Sequence, residues 1–439
     1  MSAEHNLPAT FLARIKTTLG DEYGAFLDSM GQPSPTSIRI NPNKNTGKLD
    51  KEEQVKWCAN GRYLQERPSF TFDPLFHAGT YYVQEASSMF IEQVWQQINP
   101  TNESVKVLDM CAAPGGKSTH LLALMSPDSL LVSNELVPNR NNSLQQNITK
   151  WGYPNCVVTQ NKTEAFEAFG SFFDIILVDA PCSGEGLFRK DKDAIAEWSE
   201  QNVANCAIRQ TDIIKHAAAC LKPGGFIIYS TCTFEDIEND EQIANSGLLP
   251  VNFNLADLGQ VKTKYGFQFY PHKIKGEGFY IAVLQKQGEK QVIKTSAPAS
   301  NATANQVLAD YLIDADKFMA HTKNDMLFAI PKTMYRDFLF LSGQFYVRHA
   351  GIFMGTLKGK DFLPAHDLAL SNFIRADLPA IELTYEDAIT YLRSEVPKIK
   401  PEVRGWCLAK FEGKNLGWMK AMENRINNYF PKELRILKR

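Results

Sequence analysis

The alternation of short apolar runs with helical patterns between residues 96 and 286 constrains the fold of this chain more than any other feature. The runs are VKVLDM, SLLVSNE, CVVTQN, FDIILVDA, GGFIIYST and GFYIAVLQK. Strands that alternate with helices in this way are typical of an α/β fold with a doubly wound, mostly parallel sheet. Ligands of such sheets bind at the carboxyl ends of the strands, so functional residues are expected directly after these runs.

Composition divides the rest of the chain into further units. The length of 439 residues is too great for one ordinary core, so several domains are expected. Residues 287–306 are small, polar and free of aromatic side chains, which predicts a linker. The predicted units are an N-terminal extension, 1–95, a catalytic domain, 96–286, a small C-terminal domain, 307–378, and a final domain, 379–439.

The overall composition, 44% hydrophobic and 22% charged, predicts a folded soluble protein. A net charge of −2 excludes a uniformly basic scaffold but not a local basic patch, and the last twenty residues are rich in lysine and arginine. No apolar run approaches the ~18 residues of a membrane span, and the first twenty residues have helical rather than secretory spacing. A cytoplasmic protein with no membrane partner is predicted.

The eight cysteines are expected to be reduced thiols. They include no C-x-x-C pair, and none has a histidine at metal-ligand spacing, so no metal site is predicted. Free cysteine is among the most buried residue types, which makes core packing the expected role of Cys58, Cys156, Cys206, Cys220 and Cys407.

The segment VKVLDMCAAPGGKSTHLLALM predicts a strand, a glycine-bearing turn and a helix. Gly115 and Gly116 let a ligand approach the main chain, and the helix start can bind an anion. A P-loop needs glycine where Cys111 stands, and the dinucleotide pattern G-x-G-x-x-G is absent. S-adenosylmethionine is the candidate ligand that remains. Glu135, at the end of the next strand, is the expected hydrogen-bond acceptor for its ribose diol. An isolated glutamate there is more often simply solvated, but the glycine turn favours the ribose role.

Three motifs in this order resemble the signatures of the RNA (cytosine-5) methyltransferases of the NOL1/NOP2/Sun type: DMCAAPGGKSTHL, DAPCSGEGLFRKD and YSTCTFEDIENDEQI. Shorter matching pieces, such as YVQEASSM, HKIKGEGFYIA and RINNYFPKELR, extend over nearly the whole chain. The resemblance implies a Rossmann-like S-adenosylmethionine methyltransferase core. It also implies an N-terminal α+β RNA-binding extension and a C-terminal α+β PUA-like RNA-binding region.

The chemistry of such an enzyme explains its need for cysteine. Carbon 5 of cytosine becomes nucleophilic only after a thiolate adds at carbon 6. The resemblance makes Cys232 the nucleophile and Cys182 the residue that assists product release. Spacing alone leaves this open, because DNA cytosine methyltransferases attack with the cysteine of a Pro-Cys motif. The resemblance also implies that Asp179 accepts from the cytosine amino group and that Lys117 contacts base or phosphate, although Lys117 could instead be an exposed lysine at a helix start.

The implied cofactor-binding residues lie in the glycine loop and at the ends of the following strands. They are Cys111, Ala112, Ala113, Pro114, Gly115, Gly116, Lys117, Glu135, Arg140, Asn161 and Asp179. Asn161 stands where the family usually has an aspartate near the adenine. Its amide oxygen could still accept from the adenine N6 amino group.

An enzyme that reacts at a ring carbon must take the base out of its stack. Arg39, Arg189, Lys190 and the basic tail could together contact phosphates along an RNA path, although each alone is better explained as solvated surface. Trp406, Trp418 and Tyr429 could stack on bases or pack in the core. Residues 235–243 after Thr233 predict a solvated acidic helix rather than a metal site.

The expected function is S-adenosylmethionine-dependent methylation of cytosine carbon 5 in RNA, with 16S ribosomal RNA as the expected substrate and a monomer as the expected state. A tRNA enzyme is the alternative within the class, since the motifs determine the reaction and not the RNA. A non-catalytic RNA-binding ribosome assembly factor is the alternative outside it. The presence of both Cys182 and Cys232 argues against that factor, which would need neither.

Overall fold

The computed structural model describes residues 7–253, 255–288, 302–359, 361–400 and 402–438. It is an α/β structure in which four sheets occur in the described ranges, one large and three of four strands each. No helix in these ranges has both the length and the apolar character needed to cross a membrane.

The N-terminal region combines helices with an antiparallel sheet of strand order β2-β3-β1-β4. Its elements are α1 (Ala9–Leu19), α2 (Tyr23–Met30), β1 (Thr36–Ile40), β2 (Glu53–Gln54), β3 (Gly61–Leu64), α3 (Pro74–Ala78), β4 (Tyr81–Val83) and α4 (Ile91–Ile98). Phe11 of α1 and Phe26 of α2 are fully buried and share a cluster with Phe188 and Phe234. This cluster holds the first helices against the two segments that carry the predicted catalytic cysteines.

The central region forms the predicted doubly wound sheet, and all six apolar runs are strands. Its elements are β5 (Lys106–Asp109), α5 (Gly116–Leu124), β6 (Leu130–Asn134), α6 (Pro138–Trp151), β7 (Cys156–Thr159), β8 (Phe173–Asp179), α7 (Lys192–Glu197), α8 (Glu200–Cys220), β9 (Leu221–Thr231), α9 (Asp240–Asn245), β10 (Leu249–Pro250), β11 (Val261–Lys262), β12 (Gly266–Phe269) and β13 (Phe279–Gln285). Strands β9-β8-β5-β6-β7 are parallel, and β13 joins β9 antiparallel. The predicted fold class is confirmed.

The C-terminal region contains two four-stranded sheets, β14-β15-β17-β18 and β19-β20-β21-β22. A further strand of this region, β16, belongs to the large central sheet. Its elements are α10 (Ala302–Tyr311), β14 (Phe318–Lys323), β15 (Met326–Pro331), α11 (Tyr335–Gln344), β16 (Val347–Ala350), β17 (Ile352–Lys358), β18 (Asp361–Pro364), α12 (His366–Leu370), β19 (Ala380–Glu382), α13 (Tyr385–Leu392), β20 (Gly405–Phe411), β21 (Lys414–Ala421) and β22 (Ile426–Asn428). Residues 289–301 of the predicted linker lie outside the described ranges, and 302–306 already belong to α10. The predicted domain limits stay predictions.

Strand β16 pairs antiparallel with β7 and so completes the edge of the central sheet. Its partner is far away in sequence, and four residues show no periodicity that would indicate such a pairing. The sequence analysis therefore did not indicate that a strand of the predicted small C-terminal domain would extend the central sheet.

Lys44 is only 9% exposed, and its ammonium group contacts the carboxyl ends of three helices. Lys44 Nζ donates to Ala78 O at 3.1 Å, Lys150 O at 2.6 Å and Leu370 O at 2.7 Å. These carbonyls lie at the carboxyl ends of α3, α6 and α12. A cation is favoured there by the helix dipole, so this one side chain joins the N-terminal, central and C-terminal regions.

Candidate active site

The predicted site residues gather at the carboxyl ends of β5, β6, β8 and β9, where an α/β sheet binds its ligands. The glycine turn follows β5, Glu135 follows β6, Asp179 ends β8 and Cys232 follows β9. Residues far apart in sequence therefore share one edge of the sheet.

The glycine turn is held open as a cradle. Gly115 has a φ of 107°, which strains any other residue, and a Cβ on Gly116 would lie 3.3 Å from the ring of Tyr82. Across the turn, Arg140 Nη2 donates to Ala113 O at 3.0 Å while its Nη1 lies 3.3 Å from Glu135 Oε2. Glu135 is 5% exposed, and its Oε1 accepts from the Val137 N–H at 2.8 Å. Arg140 thus fixes the acidic side chain relative to the turn.

Asp109, at the end of β5, carries an unsatisfied oxygen toward this edge. Its Oδ2 accepts from the Ser118 hydroxyl at 2.6 Å, whereas Oδ1 is buried with no partner in the described structure. Burial raises the pKa of Asp109 to about 7, against the opposing effect of the Ser118 hydrogen bond.

The raised pKa of Asp109 predicts a pH dependence of stability in the cofactor-free protein. Between its ordinary value of 3.8 and about 7, the folded protein binds the proton more tightly than the unfolded chain. The contribution of Asp109 is thus complete below pH 3.8 and is lost as the pH rises through 7. Replacement by asparagine, Asp109→Asn, should remove that loss, worth about 4 kcal/mol at most. Urea unfolding of both proteins from pH 4 to 8 measures it, and parallel curves would contradict the assignment.

Asn161 lies at the same edge, but its amide is oriented otherwise than the sequence suggested. Its Oδ1 accepts from the Tyr346 N–H at 3.3 Å, and its Nδ2 is buried without a partner in the described structure. The oxygen that was expected to accept from adenine therefore already accepts one hydrogen bond, from the segment before β16. The free N–H₂ group is a donor, suited to an acceptor such as adenine N1.

The two cysteines of the motifs lie side by side. The sulfurs of Cys182 and Cys232 are 3.1 Å apart, and the Cys232 N–H donates to Cys182 Sγ at 3.3 Å. Both are free thiols and partly exposed. The hydrogen bond to Cys232 and burial raise the pKa of Cys182 well above its ordinary value. One sulfur of this pair is therefore held as a thiol that can hydrogen-bond the other.

Lys117 and Asp179 form an ion pair beside the cysteines, with Nζ 2.8 Å from Oδ2. Asp179 Oδ1 also accepts from the Ser230 hydroxyl at 2.8 Å. Burial works to lower the pKa of Lys117, but Asp179 outweighs it and the pKa is raised. The Lys117 side chain is only 13% exposed, so it is not the solvated lysine that the sequence left as an alternative.

Glu185, fully buried, ties the two cysteine loops together. Its Oε2 accepts from the Thr233 hydroxyl at 3.1 Å and from the Phe234 N–H at 3.2 Å, while Oε1 accepts from Arg14 at 2.5 Å. The Gly186 N–H donates to Cys232 O at 2.8 Å. Sequence reasoning missed this residue. The available signal was a glutamate between two glycines directly after a Pro-Cys motif.

Removing the charge of Glu185 should destabilise the fold. The variant Glu185→Gln leaves the guanidinium of Arg14, which is 27% exposed, with one carboxylate in place of two, because Arg14 Nε also lies 2.8 Å from Glu235 Oε1. Breaking a fully buried pair costs about 3 kcal/mol, and the remaining pair and the exposure of Arg14 reduce this to about 2 kcal/mol. Urea unfolding at neutral pH should show this, whereas Glu423→Gln, in an exposed pair with Arg404, should change stability by less than about 1 kcal/mol. Equal effects of the two substitutions would contradict the role of Glu185.

Models of three protein families match the chain in series. They describe the N-terminal domain of 16S rRNA methyltransferase RsmF, residues 7–86, 16S rRNA methyltransferase RsmB/F, 95–285, and the methyltransferase RsmF PUA domain, 378–436. A protein named ribosomal RNA small subunit methyltransferase F from Aliivibrio fischeri is 31% identical, over 98% of this chain and 97% of its own. The chain belongs to this methyltransferase F family. A protein of that name from Vibrio parahaemolyticus is 30% identical over 98% and 97% of the two chains.

Solved structures agree with the methyltransferase F fold. NSun6 from Pyrococcus horikoshii aligns with a TM-score of 0.56 and 20% identity, over 65% of this chain and 99% of that one. A methyltransferase homologue from Pyrococcus horikoshii aligns with a TM-score of 0.50 and 26% identity, over 64% and 100%. As a methyltransferase of this family, the protein uses S-adenosyl-L-methionine as its cofactor. The cradle at Gly115, the fixed Glu135 and the unsatisfied atoms of Asp109 and Asn161 fit that group.

The sequence analysis suggested that two arginines could contact phosphates. In the structure both are buried and contact other side chains of the protein. Arg39 is 1% exposed, donates to Gln84 Oε1 at 2.8 Å and lies over the ring of Trp151 at 4.4 Å. The Arg189 side chain is 5% exposed and its Nε lies 3.0 Å from Glu277 Oε2. Neither is available to RNA. The prediction failed because the partners that bury these side chains are distant in sequence.

The acidic segment after Thr233 is also different from its prediction. Residues Asp236–Glu238 form a 3₁₀ turn before α9, and Glu238 is fully buried. Its Oε2 accepts from the Ser183 N–H at 3.0 Å and from Gln210 Nε2 at 2.8 Å. The segment is therefore not a solvated helix, because Glu238 holds the loop that carries Cys182.

Cys58, Glu92 and His120 lie together in the core, although their spacing in the sequence did not indicate a cluster of possible metal ligands. Their potential ligand atoms lie within 4.8 Å of one another, and all three residues are buried. Glu92 accepts from His120 Nε2 at 3.1 Å and from the Ala59 N–H at 3.0 Å. These hydrogen bonds account for the buried carboxylate. Cys206 and Cys220 are buried in the core, as predicted.

Proposed function

We propose that this protein methylates carbon 5 of a cytosine in RNA through a covalent adduct of Cys232, and that its substrate is 16S ribosomal RNA. The observation that carries the proposal is the pair of sulfurs 3.1 Å apart beside the Lys117–Asp179 ion pair. A reaction in which one thiolate adds to the ring and is later expelled uses both sulfurs. The names of the methyltransferase F relatives support the choice of RNA.

The first step is attack on carbon 6. The Cys232 thiolate forms the C6–S bond, and the electrons of the C5–C6 double bond pass into the ring as an enamine. Asp179 accepts from the cytosine amino group, and the ammonium of Lys117 stabilises the negative charge that develops on the ring. The cofactor, when bound, supplies the electrophilic methyl group that carbon 5 then takes up.

The second step restores the aromatic ring. The proton on carbon 5 passes to water, which reaches the partly exposed sulfurs, and its electron pair re-forms the C5–C6 double bond. The C6–S bond breaks and Cys232 leaves as a thiolate. The thiol of Cys182 hydrogen-bonds the departing sulfur and makes it a better leaving group, which is the proposed basis of product release.

The cofactor is proposed to lie across the glycine turn. The backbone N–H groups at the start of α5 would bind its carboxylate, and Glu135 would accept from the ribose hydroxyl groups. The free Nδ2 group of Asn161 would donate to the adenine. Arg140 holds Glu135, while Cys111, whose pKa is raised by burial, lines the site without reacting.

Bisulfite sequencing of total RNA from cells with and without the gene tests the proposal. Loss of one 5-methylcytosine from 16S ribosomal RNA, restored by the wild-type gene but not by a Cys232→Ala version, is the expected result. A lost site in tRNA would overturn the substrate. An unchanged pattern of 5-methylcytosine would overturn the reaction.

A further inference from the structure

A cleft of about 1130 Å³ lies where the three regions of the chain meet, and none of the proposed catalytic residues lines it. Its walls come from Phe76 and His77 at α3, from residues 142–150 of α6, and from β15, β16 and β17. Small-molecule sites fill about 300 to 1,000 Å³, so the cleft has room for a nucleotide.

Three cations line this cleft without a carboxylate partner in the described part of the chain: Lys150, Lys323 and Arg348. Arg348 is held in place by two neutral oxygens, Gln160 Oε1 at 3.0 Å and Asn142 Oδ1 at 2.9 Å. The lining also contains two acidic side chains, Glu433 and Asp367, and Asp367 pairs with His349 at 3.3 Å. The three cations outnumber the two acids, so the cleft has a net positive charge and is suited to an anion.

Lys150 is the most confined of these cations. Its Nζ lies 4.2 Å from the centre of the Phe76 ring, and burial lowers its pKa to about 8. A cation in such a place is partly dehydrated and has an aromatic face beside it in return. A phosphate in the cleft would supply the missing negative charge.

An aromatic wall faces the same space. Phe328 of β15 and Phe353 of β17 are directly paired across the sheet, with ring centres 5.1 Å apart, and both are partly exposed. Bases of single-stranded RNA stack on such side chains. Trp418, a candidate for stacking from the sequence, is only 2% exposed and donates to Ala365 O, so it packs in the core.

We propose that the cleft binds one unpaired nucleotide of the substrate RNA, with its base against Phe328 and Phe353 and its phosphate toward Lys150 and Arg348. The inference rests on the proposed function in one respect, that the substrate is RNA. A strand anchored here would be fixed relative to the cysteine pair, because β16 joins the cleft to the catalytic sheet.

Binding of a labelled single-stranded RNA, measured by fluorescence anisotropy without cofactor, tests the proposal. The double variant Lys150→Met with Arg348→Met should weaken binding by about tenfold and lower the slope of log affinity against log salt concentration by roughly 0.7, because both cations contact one phosphate. Phe353→Leu, which keeps both charges, should weaken binding while leaving the slope unchanged. The matched control Lys317→Met removes an exposed lysine that pairs with Asp314 and should change neither. Wild-type affinity in the double variant and in Phe353→Leu, both folded by thermal melting, would overturn the proposal.

Photocrosslinking distinguishes binding in the cleft from an indirect effect. An RNA that carries 5-iodouridine should crosslink to peptides from residues 326–353. Crosslinks confined to other regions would overturn the proposal, and so would adenosine monophosphate binding as tightly as the RNA, since the occupant would then be a free nucleotide. Neither measurement requires methyl transfer. Failure to methylate RNA with the crosslink intact would overturn only the proposed function.

Discussion

Replacing the sulfur of Cys232 should abolish methyl transfer and leave the protein folded. In Cys232→Ala nothing can add to carbon 6, so carbon 5 stays unreactive, and the single-turnover rate should fall by at least about 1,000-fold. Affinity for S-adenosylmethionine should be unchanged, because the proposed cofactor contacts lie at the ends of β5, β6 and β7. Transfer of a radiolabelled methyl group to 16S ribosomal RNA measures the rate, and calorimetry measures the cofactor affinity.

The matched control for this variant is Cys206→Ala. Cys206 belongs to α8 and is buried in the core, so its loss should lower stability and not the rate per folded molecule. Turnover near the wild-type rate in Cys232→Ala would contradict the assignment of the nucleophile.

Replacing Cys182 should have a different consequence, a trapped covalent complex. In Cys182→Ala attack and methylation proceed, but the departing Cys232 sulfur no longer meets a thiol 3.1 Å away. Protein attached to RNA should then accumulate and appear as a slowly migrating band on a denaturing gel after incubation with cofactor and RNA.

The double variant Cys182→Ala with Cys232→Ala is the control, and it should give no band because the attacking sulfur is gone. A band from Cys232→Ala alone, and none from Cys182→Ala, would show that the two roles are reversed.

Features that depend on local pattern could be predicted from the sequence. The six strands of the central region have apolar runs of the right length, and the residues that end them must meet at one edge of a parallel sheet. That is why Asp179 and Cys232 could be placed together before their contacts were known. The turn at Gly115 could also be predicted, because the strand, the glycines and the helix follow one another directly in the sequence.

Features that depend on contacts between residues distant in the chain could not be predicted from the sequence. Arg39 and Arg189 look like free cations in the sequence, but Gln84 and Glu277 bury them. Glu185 acts through Arg14, which lies 171 residues away. Edge strand β16 and the cleft beside it likewise arise only when the C-terminal region meets the catalytic sheet.

The position of Lys44 has a consequence for how the protein is made. One of its three acceptors, Leu370 O, belongs to a residue 326 positions later in the chain. At a synthesis rate of about 5 to 20 residues per second, that residue follows Lys44 by roughly 16 to 65 seconds. During this interval the ammonium cannot complete its shell of carbonyl oxygens. The N-terminal helices and sheet should therefore reach their final protection from hydrogen exchange only after nearly the whole chain has left the ribosome.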